Sequence, residues 1–96
     1  MSFVLIETDV SELIMLLNSA NMRFRAVPHE LEPGMGTHIH VPCQTGELSI
    51  VRGFITLGEY EIMSIGGNTA YPNPIRARTA AEMMTLISRA TDELTD

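Results

Sequence analysis

The sequence predicts an α+β domain: a mainly antiparallel sheet of about five strands with two helices on one face, in the order β-α-β-β-β-β-α. Three observations predict it. Segments 8–21 and 79–94 carry apolar residues at helical spacing behind capping residues. The stretch between them alternates polar and apolar residues in short runs separated by Gly and Pro. The whole chain is 96 residues, 45% hydrophobic and 19% charged, which is one globular domain, residues 1–96.

The elements follow in order. "SFVLIE" is an apolar run of strand formers, predicting a strand at 2–7. "TDVSELIMLLNSAN" predicts a helix with Asp9 as N-cap and Glu12 in a capping-box relation. Val10, Leu13, Ile14, Leu17 and Ala20 form its apolar stripe, and Asn21 is its stop. "MRFRAVPH" alternates as a strand whose end, at Pro28, belongs at a sheet edge or in a turn. "ELEPGMG" is a loop turning at Pro33-Gly34. "THIHVP" is a strand, "CQTG" a turn, and "ELSIVRGFITL" a longer strand with a possible bulge at Gly53. A turn near Gly58 leads into "EYEIMSIG", so residues 47–65 predict a β-hairpin. "GGNTAYPNPIRAR", 66–78, reads as a long loop, a kind of segment often used for function. Thr79 and Glu82 form a T-x-x-E capping box for the last helix, with Ala80, Met83, Met84, Ile87, Ala90 and Leu94 as its stripe. Five of the seven methionines (Met15, Met22, Met63, Met83 and Met84) fall at or near core positions.

Charge and composition narrow the function classes. Twelve acids against six arginines, with no lysine, give a net charge of −6. That balance argues against non-specific nucleic-acid binding, which draws its affinity from neutralised phosphates. It suits a protein target with a basic surface. No run approaches the ~18 apolar residues of a membrane span, and no basic region precedes the first apolar run, so neither membrane attachment nor a signal peptide is predicted. A single cysteine fits a reducing cytoplasm. The mild apolar surplus predicts covered surface, hence a homodimer formed through a sheet edge or the methionine-bearing helix.

Two groups of residues carry candidate chemistry. His38 and His40 share one face of a strand, which suits two ligands of one zinc ion, and His29 is the third candidate if the register sets it opposite His38. "THIHVP" resembles the strand of histidine-triad hydrolases over about six residues. The third alternating position is Gly36 rather than histidine, and nearly half the chain follows the motif, so the chain is not placed in that family. The second group is Arg76 and Arg78 ahead of a helix start, with Gly67, Asn68 and Tyr71 in the preceding loop. Forked guanidiniums and a helix N-terminus suit a phosphate or nucleotide. No Ser-His-Asp order, G-x-S-x-G or P-loop pattern is present. The leading expectation is therefore a small acidic binding or inhibitory protein without catalysis or cofactor, acting by protein–protein contact. In bulk properties it resembles accessory proteins of phages and mobile elements, including anti-defence inhibitors. A phosphate- or nucleotide-sequestering module and a small metalloprotein are the alternatives.

Overall fold

A computed structural model describes residues 9–28, 37–53 and 56–94, with the side chains of 28 and 92–94 excepted. The expected strand at 2–7 and the loop carrying His29 and Pro33-Gly34 lie outside these residues. Within them the order is α1 (Ser11–Ser19), β1 (Arg25–Pro28), β2 (Thr37–Pro42), β3 (Glu47–Arg52), β4 (Tyr60–Ile65), β5 (Ile75–Ala77) and α2 (Ala80–Leu94). The five strands form one antiparallel meander in chain order, β1-β2-β3-β4-β5.

Helix α1 opens just after the residue that announces it. Asp9 Oδ1 accepts the Ser11 N–H at 2.9 Å and the Ser11 hydroxyl at 2.5 Å, an Asx turn ahead of the N-cap at Val10. The Ser11 bonds hold the Asp9 carboxyl below its usual value. At the other end, Met22 N–H bonds Leu17 O and Asn21 N–H bonds Asn18 O, with Asn21 left-handed at φ 55°. That is a Schellman ending with asparagine in the αL position. Leu13 and Leu17 are fully buried, whereas Met15 is 63% exposed. Two residues from each of them, Met15 stands about 200° around the helix, so its expected core place is not realised. Ala20 is exposed too, because the stripe ends with the last helical turn.

The hairpin expected over 47–65 forms as β3 and β4, paired from Glu47↔Ile65 to Arg52↔Tyr60. Its first strand stops at Arg52 and does not run on to 57. Thr56 Oγ1 accepts the Gly53 N–H at 3.0 Å and donates to Gly53 O, and Gly58 N–H bonds Gly53 O, so the local turn captures the groups a longer ladder would need. Arg52 holds this turn to α1. Its Nε donates to Gly58 O at 2.8 Å, an Nη donates to Asp9 O at 2.6 Å, and its guanidinium lies 4.5 Å from the Tyr60 ring centroid.

The segment 66–78 is not a structureless loop throughout. Its last part is β5, with Tyr60↔Ala77, Glu61↔Arg76 and Ile62↔Ile75 in register. Three residues after two prolines carry too short a periodic pattern to stand out in sequence. The turn between β2 and β3 closes with Cys43 N–H on Gly46 O. A Cβ on Gly46, at φ 66°, would meet Ile65 O, Gly66 O at 2.6 Å and Asn68 N at 2.7 Å, so only glycine lets this turn lie against the end of β4.

The core lies between one sheet face and both helices. Ile39, Val41, Leu48, Ile50, Tyr60 and Ile62 meet Leu13, Leu17, Met83 and Ile87, all at most 1% exposed. Met83 points inward and its neighbour Met84 packs at the margin of the core. At the start of α2, Thr79 Oγ1 accepts the Glu82 N–H at 3.1 Å, and Glu82 Oε2 accepts the Arg78 N–H at 3.2 Å, one residue ahead of the expected reciprocal partner. No helix among the described residues is long and apolar enough to cross a membrane.

Candidate functional site

Alternation along the strands sends every second side chain to the face that no described helix covers. The register lays these side chains out in rows across the sheet. One row runs Val27, His38, Val51, Glu61 and Arg76. The next runs Arg25, His40, Ser49 and Met63, and a third runs Pro42, Glu47 and Ile65. Most are half-buried, while Val27 and Met63 are 39% and 37% exposed. Met63 is therefore on this face and not in the core.

The expected pairing of two histidines on one face is present. The rings of His38 and His40 have centroids 6.3 Å apart and are tilted by 50°. His40 Nδ1 lies 3.2 Å from Glu47 Oε1, within ion-pair range once the imidazole is protonated but off the line of a hydrogen bond. Arg25 reaches the same carboxylate at 3.8 Å. The residue opposite His38 is Val27, so the register that would set His29 against His38 is not adopted. His29 itself lies outside the described residues. Among those residues no group of three His, Cys, Asp or Glu is arranged to hold a metal ion. Cys43, beyond Pro42, donates to Val41 O at 3.7 Å, and burial, helped by the nearby Glu47 charge, pushes its thiol pKa up, away from the reactive thiolate.

The candidate anion residues are divided. Arg76 Nε meets Glu61 Oε2 at 3.3 Å, and Arg78 Nε stands 3.7 Å from Glu59 Oε1. These are cross-strand pairs on the open face, the sheet counterpart of helical ion pairs. Gly67 and Asn68 follow Ile65 at the far end of β4. Six residues of strand separate Glu59 from Ile65, about 20 Å at ~3.3 Å per residue, more than a phosphate spans. The loop is also bound to its own neighbours. Asn68 Oδ1 accepts the Ser64 hydroxyl at 2.7 Å and the Ala70 N–H at 3.0 Å, and the Tyr71 hydroxyl donates to Leu86 O at 2.6 Å. These bonds clasp the loop onto β4 and α2. Asn68 keeps one buried polar atom, Nδ2, without a hydrogen-bond partner.

No match was found for this chain. Neither a protein-family model, nor a curated protein, nor a solved structure is similar to it by comparison. The functional reading rests on the chain's own residues.

Two features escaped the sequence-level site. The glutamates Glu47 and Glu61 are the partners of the arginines, and Val51 and Met63 give the histidine face its apolar content. Strict alternation in "ELSIVR" and "YEIMSI" carried that signal. What it lacked was the register that joins the strands.

Proposed function

We propose that this protein is a small non-catalytic binding protein that acts by contact with a protein target bearing a basic surface, as an inhibitor of the kind found among phage and mobile-element accessory factors. One observation supports this most: four of the six arginines are engaged within the chain. Arg25, Arg76 and Arg78 face Glu47, Glu61 and Glu59, and Arg52 is committed to the carbonyls of Asp9 and Gly58. Across the sequence, twelve carboxylates stand against six arginines, an excess of six. A surplus of that size attracts a cationic surface and repels phosphate. The paired arginines, set about 13 Å (Arg76) and about 20 Å (Arg78) along the sheet from the end of β4 that leads to Gly67, lend less support to a nucleotide-binding role.

The test is affinity capture from the native host, followed by binding of the purified candidate at two salt concentrations. The expected partner is basic, and its association rate falls steeply as salt rises. Binding indifferent to salt, or a neutral or acidic partner, would overturn the charge-based reading. Calorimetry with a nucleoside triphosphate and with inorganic phosphate tests the alternative.

A further inference from the structure

We infer that Leu57, at the turn between β3 and β4, is the anchor by which this protein seats on its protein target, entering an apolar socket rimmed by basic residues. The inference rests on the basic-target reading above and names the surface that serves it. Leu57 is the most exposed large apolar side chain among the described residues, at 70%. Its backbone is also unusual for a leucine. Glu59 N–H bonds Thr56 O at 3.1 Å, closing a four-residue turn whose central residues, Leu57 and Gly58, have φ of 55° and 83°. Positive φ at both positions is the signature of a type I′ turn, which favours Asn, Asp or Gly as its first central residue. A bulky side chain there is strained, because its Cβ crowds the following carbonyl. The fold thus holds a strained leucine with most of its side chain in water. A backbone outlier of this kind points to function.

The surroundings hold that leucine in place. The buried Thr56 hydroxyl bonds both the N–H and the carbonyl of Gly53, and Gly58 N–H bonds Gly53 O at 2.9 Å. Arg52 fastens the turn from below, donating to Gly58 O and to Asp9 O at the start of α1. A tip braced in this way loses little further freedom on binding, which suits a single apolar side chain filling a pocket. The charge beside it fits a basic rim. Asp9 shares the Arg52 guanidinium with Gly58 through its main chain, and its carboxylate is exposed. The Ser11 bonds hold the Asp9 carboxyl below its usual value, so it is ionised at neutral pH. Glu59 follows the turn directly, beside Arg78. An apolar centre with a charged rim is the anatomy of a protein interface. A lipid surface fits less well, because a carboxylate beside the tip is repelled by anionic headgroups.

The test uses the full chain. Leu57→Asn gives the turn its favoured residue and is expected to raise the midpoint of urea unfolding. p-Benzoylphenylalanine in place of Leu57 is expected to cross-link to one basic protein on irradiation in host extract. The same photoprobe in place of Met63, on the open sheet face, does not. With the cross-linked protein purified as the binding probe, Leu57→Asn raises Kd at least about thirtyfold, through faster dissociation. Asp9→Asn, whose amide oxygen still accepts the Ser11 bonds, slows association several-fold. A variant that is more stable yet binds worse is a result that a purely structural turn does not give. An unchanged or lower midpoint for Leu57→Asn, no cross-link through position 57, or equal cross-linking through position 63 would overturn the proposal. So would co-sedimentation with phosphatidylcholine vesicles that Leu57→Asn abolishes. A basic, salt-sensitive partner that binds Leu57→Asn unchanged overturns the anchor and leaves the charge-based reading standing. Salt-indifferent binding that Leu57→Asn still abolishes overturns the charge-based reading alone.

Discussion

The two faces of the sheet are built from the same strands, and often from adjacent residues, yet they obey different rules. On the covered face, Ile39, Leu48, Ile50 and Ile62 are wholly shielded by the helices. On the open face, one residue away in each strand, stand His38, Glu47, Ser49 and Glu61. The covered face holds the fold together by apolar burial, which tolerates little change in volume. The open face is a mosaic of ion pairs and half-buried apolar groups. It contributes little to stability. The period-two alternation of the strands thus assigns stability to one face and leaves the other to polar pairing.

The sharpest way to break this contrast is a pair of adjacent substitutions on β3. Ile50→Ala empties a fully buried site and is expected to cost about 3–4 kcal/mol in urea unfolding. Ser49→Ala, on the other face, should stay within about 0.5 kcal/mol. Equal effects would mean that the open face is covered in the folded chain.

Gly46→Ala tests whether the two hairpins are locked at their ends. The added Cβ meets three backbone atoms at a left-handed φ, and a loss of about 2–3 kcal/mol is expected by the same measurement. A near-neutral result would show that the turn yields. Tyr71→Phe removes the hydroxyl bond to Leu86 O, which fastens the 66–74 loop to the helix layer, and should lower stability by about 1 kcal/mol. Hydrogen exchange in that loop should rise as well; unchanged exchange would place the loop's anchorage in the Ser64–Asn68 bonds instead.

The smallest effect belongs to the open face. Arg76→Ala breaks a half-exposed pair with Glu61 and should change stability by at most about 0.5 kcal/mol. A larger loss would give the cross-strand ion pairs a structural role that the contrast between faces denies them.

Much of the fold was legible in the sequence because its signals are local. Thr79 and Glu82 marked the start of α2, Asn21 the end of α1, and alternation the β3–β4 hairpin. What failed had non-local causes. Met15 stands outside the helical stripe, and its expected place near the core depended on how far a packing partner reaches around α1. The three residues of β5 became a strand only because β4 offered an unpaired edge. The strand from Glu47 ended at Arg52 because Gly53 and Thr56 satisfied each other.

By itself, the sequence determined which residues of its predicted strands share a face: His38 with His40, and Glu59 with Glu61. Side-chain alternation depends only on backbone geometry within one strand, so no tertiary information was needed. Only the tertiary structure decided which faces meet. It set Val27 opposite His38, turned Arg76 and Arg78 toward Glu61 and Glu59, and placed Asn68 at the far end of the sheet from Arg78. Register between strands is fixed by how all the buried side chains fit against the helices at once, and that sum is not written in any single segment.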